Sequence, residues 1–469
     1  MQYAAVVRVL SFLGLALLAG CLLCAAIATF YGETRALAAF LTSGLLIGVI
    51  CASVLLLTPP PEGNSRPRDG LAVLIIFWCL APILAGLVFV FAVPGTGFTL
   101  AVEEAASSLT TTGYTPLAIG DDGWPVSLLA WRAYLHILGG LVSLTAVTSI
   151  FAAINLGGPG VHRTVLFTIP EGSFFSALPR VIIAASVAVG ATIIVLSILL
   201  AVAGSPLGTA MADAISVATT GIVVPGRESA GPENDVRGVL LFLGLLFSTV
   251  GLAVLLEIRA GRWRFALADP ELVTMGLLFL ILLGLCVLMG ERVADGAGWA
   301  IAELSTSGLP VNASGIEDRI PLSIAVLPVL IGGSALSTAG GIKLARVYIL
   351  MARAGQEFRN LAFRQAVGVF SFRGRVQPEK AIIAVWVYLV GYLGVFGGLL
   401  VLFALTGHGF SESLGSAAGT LSNAGHLVAP SSASDFPAWR AIVATLAMVL
   451  GRLEVLAAIP ALVPSFWRR

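Results

Sequence analysis

Long apolar runs alternate with short polar breaks along almost the whole chain. Runs long enough to cross the ~30 Å of a bilayer's hydrocarbon as helices fall near residues 3 to 30, 36 to 57, 71 to 93, 128 to 153, 181 to 203, 238 to 258, 271 to 290, 321 to 352, 381 to 406 and 438 to 462. The pattern predicts ten membrane spans. After the first two, the spans form four pairs, and inside each pair lies a stretch too short and polar to cross a membrane. These are "EEAASSLTTTGYT", "MADAISVATTGIVVP", "AIAELSTSGLPVN" and "LGSAAGTLSNAGHLVAP", and each runs through a glycine: Gly113, Gly221, Gly308 and Gly425. The unit of span, half-helix, polar strand and span therefore repeats four times.

One Thr-Thr-Gly is usually a helix stop, with glycine supplying a positive φ. Four, each between paired spans, ask for another reason. Non-helical backbone at membrane depth is tolerated only where it is buried in protein or lines water. Gathered round one axis, four such strands make a ring of carbonyl and hydroxyl oxygens able to replace the hydration shell of a monovalent cation. The half-helices then aim their negative C-terminal ends at the ion. The residues expected to form this filter are Thr111, Thr112 and Gly113; Thr219, Thr220 and Gly221; Thr306, Ser307 and Gly308; and Asn423, Ala424 and Gly425. Four non-identical strands make a less regular cage than a symmetric filter, so some sodium permeation is compatible with it. Glu103 and Glu104 are expected at the start of the first half-helix, favoured by its dipole or forming a cation-attracting outer rim.

Composition agrees with the spans: 58% of residues are hydrophobic, 11% are charged, and mean hydropathy is +1.00. This excludes an ordinary soluble domain. A net charge of +1 gives no reason to expect nucleic acid, and the first apolar run is too long for a signal-peptide core. Cys21, Cys24, Cys51, Cys79 and Cys286 all sit in apolar runs, without metal-ligand spacing. Arginine placement sets orientation: "NSRPR", "VHRTV" with Arg180, "IRAGRWR", the 353 to 380 connection and the terminal "FWRR" alternate with acidic or mixed loops such as "IGDDGW" and "GIEDR". The basic side is expected to be cytoplasmic, with both termini inside. In the 353 to 380 connection, "FRNLAFRQAVGVFSFRGR" is either a solvated basic loop or an amphipathic segment that meets the membrane surface or a partner.

The second span of the third pair is interrupted by "IGGSALSTAGGIK". Four glycines with small polar residues make a poor continuous helix. The segment is either a break facing the pore from the cytoplasmic side or a small-residue packing seam. It is not a phosphate-binding loop, because Lys343 follows Ile342 and no Gly-Lys-Ser/Thr occurs. Arg452, deep in the last span, either faces the bundle interior, pairs with Glu454, or reaches the interface. His136, His162 and His408 read as structural. No catalytic constellation is present in the pattern, so no enzyme is expected, nor any cofactor. A secondary transporter with inverted repeats fits less well, since the four loops recur in one orientation and only one span is expected to be broken.

The four pore loops, "GGSALSTAGGIKLARV" at 332 to 347 and the terminal "LGRLEVLAAIPALVPSFWRR" resemble the TrkH/TrkG/KtrB family of potassium-translocating membrane subunits. The resemblance implies an all-α integral membrane protein with four membrane-pore-membrane repeats around one pore, preceded by two extra helices. It divides the chain into an N-terminal extension (1–60), repeat 1 (71–155), repeat 2 (177–260), repeat 3 (271–352, gating loop 332–343), a cytoplasmic connection (353–380) and repeat 4 (381–469). It implies potassium uptake across the inner (plasma) membrane, with a weakly selective or sodium-coupled cation symporter, or a secondary transporter of another small solute, as alternatives. Gating falls to Gly332, Gly333, Ser334, Thr338, Gly340, Gly341, Lys343 and Arg452. A homodimer and a separate cytoplasmic nucleotide-binding subunit, TrkA-like, are further implications. The chain departs from the family pattern at Val142, at Phe363 and Arg364, and at His426 after Gly425.

Overall fold

The computed structural model describes residues 2–59, 67–117, 123–151, 174–226, 235–363, 371–373, 375–377, 379–429, 437–455, 457–458 and 467. The chain opens with a helical hairpin, α1 (Tyr3–Tyr31) and α2 (Thr34–Leu57), reversed at Gly32 with φ 71°. Then the same order recurs four times. A long helix is followed by a short one, a strand-like stretch, and a second membrane helix. The first unit comprises α3 (Pro67–Ala92), α4 (Phe98–Leu109) and α5 (Val126–Thr145), which runs on as a π-helical turn, Ala146–Phe151. The second comprises α6 (Phe174–Val202), α7 (Leu207–Thr219), α8 (Asp235–Thr249) and α9 (Leu252–Arg259). After a short α10 (Trp263–Leu267), the third comprises α11 (Pro270–Leu288), α12 (Val293–Leu304), α13 (Leu322–Ile331) and α14 (Leu344–Ala362). A two-stranded hairpin, β1 (Ser371–Phe372) and β2 (Arg375–Val376), precedes the fourth: α15 (Glu379–Ala404), α16 (Phe410–Leu421) and α17 (Trp439–Leu453).

Among the described residues, seven helices, α1, α2, α3, α5, α6, α11 and α15, are long and apolar enough to cross a membrane. The chain is a multi-pass membrane protein. The other three expected spans, 238 to 258, 321 to 352 and 438 to 462, are not single helices. The first parts between Thr249 and Leu252, and the second opens over residues 332–343. The third ends at Leu453, where Glu454 takes a left-handed φ of 54°. With the π-helical turn after α5, the second helix of every unit leaves regular α geometry, which corrects the expectation of one broken span. Such breaks have identifiable causes. At Val250 and Gly251 the helix yields to a neighbour: the Thr249 carbonyl accepts from the Ser334 amide at 3.2 Å, and Gly251 lies against the Ser334 hydroxyl.

The units close into a ring. Each short helix packs on the second membrane helix of the preceding unit: α7 on α5, α12 on α8, α16 on α13, and α4 on α17, which joins last to first. The N-terminal hairpin braces the first unit from outside. The Glu33 carboxylate accepts from the Val126 amide at 2.7 Å and the Ser127 amide at 3.1 Å, where an anion suits a helix N-terminus. Tyr134 of α5 donates to the Ala16 carbonyl at 2.5 Å. Of the cysteines, Cys79 is exposed and the other four are buried. In the 353 to 380 connection, α14 carries straight on to Ala362 with Phe358 and Leu361 exposed, as is Phe363 just beyond. Arg364, the "VHRTV" stretch with His162, and most of "IGDDGW" lie outside the described residues.

Candidate functional site

The four short helices end on a common centre. α4, α7, α12 and α16 are each followed within two residues by a left-handed residue that is not glycine: Thr111 (φ 55°), Thr220 (φ 53°), Thr306 (φ 59°) and Asn423 (φ 53°). Such a conformation costs on the order of 1–3 kcal/mol for a non-glycine residue and persists where surroundings enforce it, often at functional sites. The residue after it returns a hydrogen bond to the carbonyl five positions back. The pairs are Thr112 to Ser107 at 2.9 Å, Gly221 to Ser216 at 3.0 Å, Ser307 to Ala302 at 3.1 Å and Ala424 to Gly419 at 2.7 Å. These turns lie with Thr111, Thr220, Thr306 and Asn423 all fully buried.

This pattern fixes the register of the strands. Thr111-Thr112-Gly113, Thr306-Ser307-Gly308 and Asn423-Ala424-Gly425 are equivalent, and the second strand matches them as Thr220-Gly221-Ile222. The expectation of one glycine at the same place in all four strands therefore fails for the second. From the N-cap, strand 2 reaches its glycine one residue early, so Ile222 stands where Gly113, Gly308 and Gly425 stand. Thr219 is drawn into the helix end, where its hydroxyl donates to Ile215 at 2.7 Å, as Thr110 does to Ala106. Nor does glycine supply the positive φ everywhere: Gly113 (φ 83°) and Gly308 (φ 60°) have it, Gly221 and Gly425 do not.

Neighbouring strands touch through backbone. The Gly425 amide donates to the Thr112 carbonyl at 2.9 Å, and Asn423 Nδ2 donates to Thr112 Oγ1 at 3.1 Å. A β-carbon on Gly113 would stand 2.5 Å from the Ile222 nitrogen and 2.7 Å from its oxygen, so glycine is required there for contact as well as for φ. His426 packs its ring on Gly308, and its Nε2 lies 3.0 Å from Glu303 Oε2 at the end of α12.

Beneath the strands lies the glycine-rich break. Its reversals sit at Gly332 (φ 72°), Gly341 (φ 79°) and Lys343 (φ 82°), and bonds from Ile342 and Lys343 amides to the Leu330 and Ile331 carbonyls, both 2.8 Å, draw its ends together. The Lys343 ammonium donates to the Ala339 carbonyl and staples the loop internally. The loop meets all four units. Thr338 donates to the Ala218 carbonyl at 3.4 Å, and the Gly340 amide donates to Thr306 Oγ1 at 2.9 Å. Gly340 also presses on the Ser422 carbonyl, an approach no side chain would permit. Arg452 completes the set: its guanidinium donates to the Thr338 carbonyl at 2.6 Å, to the Thr110 carbonyl and to the Thr111 hydroxyl. Glu454 pairs instead with Arg346, so Arg452 faces the bundle interior. Gly333 and Ser334 fill the remaining space, with Ser334 and the Ala335 amide bonded to the Glu271 carboxylate. Glu271 and Asp269 both receive Arg373 of the β1–β2 hairpin, at 2.9 and 2.8 Å.

Glu103 and Glu104 do not begin a helix or line a rim. α4 starts at Phe98, and both carboxylates are fully buried in its middle. Each is matched by an arginine from a second membrane helix: Arg132 of α5 for Glu104, and Arg440 of α17 at 3.3 Å for Glu103. These partners were missed in sequence, yet carry a signal: Ala130-Trp131-Arg132-Ala133 recurs as Ala438-Trp439-Arg440-Ala441 at the start of the corresponding helix. Val142 is buried on α5; His136 lies 3.5 Å from the Thr219 hydroxyl, and His408 is 2.6 Å from the Thr406 hydroxyl.

Comparison with known proteins follows this architecture. The family model TrkH, described as a cation transport protein, matches residues 287–467. The Trk system potassium uptake protein TrkH of Salmonella typhimurium is 28% identical, with 87% of each chain covered. TrkG of Escherichia coli, also named a Trk system potassium uptake protein, is 26% identical over 94% of each chain. The crystal structure of the potassium transporter TrkH from Vibrio parahaemolyticus superposes with a TM-score of 0.85, covering all of both chains at 22% identity. The chain is thus similar to the TrkH cation transport family over its C-terminal part and to Trk system potassium uptake proteins over most of its length, and it shares the fold of the TrkH crystal structure.

Proposed function

We propose that the chain carries potassium into the cell through the centre where the four short helices end, and that the 332–343 loop with Arg452 gates this path from below. The observation that carries the reading is the contact of this loop and Arg452 with all four strands or their helix ends at one level. Four helix C-termini directed at one point favour a cation there, and backbone oxygens suit a large, weakly hydrated monovalent ion. The relatives named for potassium uptake support potassium as that ion. Ile222 in the glycine position favours a modest discrimination against sodium. The six-part division of the chain, an inner-membrane location with both termini cytoplasmic, a homodimer, and a cytoplasmic nucleotide-binding partner belong to the same reading.

The test is flux of potassium and sodium through the purified chain in liposomes, with and without that partner. Potassium uptake exceeding sodium uptake, raised by the partner with its nucleotide, is the expected result. Transport of neither ion would overturn the reading, and stoichiometric sodium-driven accumulation would replace it with symport.

A further inference from the structure

We propose that Arg132 is a positioning residue for ion selectivity, clamping the first and second strands at a fixed separation. The proposal rests on the reading of the four strands as a selectivity filter. A ring of carbonyls separates two cations of like charge only if it cannot shrink or widen to fit each, so what matters is how its members are tied together. Strands 1 and 4 are tied directly, by the Gly425 amide to the Thr112 carbonyl at 2.9 Å. Strand 4 bears on strand 3 through His426, packed on Gly308 and bonded to Glu303. Strands 1 and 2 touch, but among the described residues no backbone hydrogen bond joins them.

Arg132 supplies that link. Its Nε donates to the Val223 carbonyl of strand 2 at 2.8 Å, and its Nη2 donates to the Gly113 carbonyl of strand 1 at 3.1 Å. Its Nη1 pairs with Glu104 of α4, and neither side chain is exposed to solvent. Glu104 is held in turn by the Thr115 hydroxyl at 2.7 Å, just past strand 1. A guanidinium is a rigid planar fork whose donors leave at fixed angles, so the two carbonyls it receives are spaced by covalent geometry. A buried ion pair is a poor stabiliser, because desolvation offsets the attraction and apolar residues of similar volume often do as well. The three-way contact is therefore better explained by what it positions than by stability. The Gly113 carbonyl, turned to Arg132, is a point of attachment, which leaves the ion to the oxygens nearer the left-handed turns.

The test uses the full chain in liposomes and reads the potassium-to-sodium flux ratio with the melting temperature of the purified protein. Arg132→Lys keeps the charge beside Glu104 but cannot bond two carbonyls at once. It is expected to lower the ratio about tenfold, equivalent to ~1.4 kcal/mol of lost discrimination, with little change in melting temperature. Thr115→Val loosens Glu104 alone and should lower the ratio two- to threefold. An unchanged ratio in folded, conducting Arg132→Lys protein overturns the clamp. If that variant does not fold, an unchanged ratio in Thr115→Val overturns it instead. A wild-type chain that carries no potassium refutes the filter reading, and with it the clamp.

Discussion

The first and second strands begin from nearly the same residues, Thr-Thr-Gly, and end in different structures. In the first, Gly113 follows the left-handed Thr111 by two positions, has φ 83°, and abuts strand 2. In the second, Gly221 follows the left-handed Thr220 by one, has no positive φ, and Ile222 occupies the equivalent of Gly113. Their attachments differ as well. Arg132 bonds both strands, but the loop side differs: strand 1 is held by the charged donor Arg452, whereas the loop reaches only the end of α7, ahead of strand 2, through the Thr338 hydroxyl on the Ala218 carbonyl at 3.4 Å. Register is thus set by distance from the helix start, not by the motif, and strand 1 is the one coupled to Arg452.

Removing that coupling should have the largest effect. Hydrogen bonds from a charged donor contribute about 1.5–3 kcal/mol each, and Arg452 makes three, two to strand 1 and one to the loop. Arg452→Ala, or deletion of Ser334 to Thr338, is expected to raise cation flux at least tenfold and weaken its dependence on a cytoplasmic partner. Flux unchanged or lost in well-folded protein, measured in liposomes, would return the loop to a packing seam.

Next comes the glycine of strand 1. A β-carbon at φ 83° costs roughly 1–2 kcal/mol, and here it would also meet the backbone of Ile222. Gly113→Ser should therefore shift strand 1 away from strand 2 and cut the potassium-to-sodium ratio about tenfold while conduction persists. A ratio equal to wild type in a conducting protein would show that strand 1 is only a helix stop.

Why the comparison was hidden in the sequence is physical. The apolar runs and the four interrupted pairs were legible because membrane length and hydropathy act locally, and α11 and α15 fall within a few residues of their expected spans. Glu103 and Glu104 were misplaced because α4 begins at Phe98, five residues before the first of them, on a glycine N-cap with no side-chain signal. The breaks after Thr249 and Leu453 were invisible because their cause lies elsewhere in the chain: Ser334 occupies the first, and Glu454 turns to pair with Arg346 at the second. Arg132 could have been found from the recurring Ala-Trp-Arg-Ala, but its carbonyl partners could not, since they depend on the one-residue offset of strand 2.

A smaller effect is expected where the loop meets the end of α7, ahead of strand 2. A neutral hydrogen bond contributes about 0.5–1.5 kcal/mol, and at 3.4 Å the Thr338 contact belongs at the low end. Thr338→Val should raise flux no more than about threefold. A change as large as that of Arg452→Ala would mean that the gate is held equally by both strands and would erase the asymmetry between them.

The smallest change is expected at Ile222, and its sign separates the two ways of aligning the strands. By motif alone, placing glycine there should make strand 2 resemble strand 1 and improve discrimination. By structure, the Ile222 side chain anchors strand 2: it is 3% exposed and packs in a cluster with Leu241, Leu245, Leu309 and Val311. Its backbone has no positive φ for glycine to relieve. Ile222→Gly removes the anchor and adds backbone freedom worth about 0.5–1 kcal/mol, so the ring should accommodate sodium more easily. The potassium-to-sodium ratio is then expected to fall two- to threefold, with Ile222→Val, which keeps most of the anchor, close to wild type. A ratio that rises in Ile222→Gly would show that strand 2 adopts the conformation of strand 1 once its side chain is removed, and that the offset is a consequence of Ile222 and not of the distance from the start of α7.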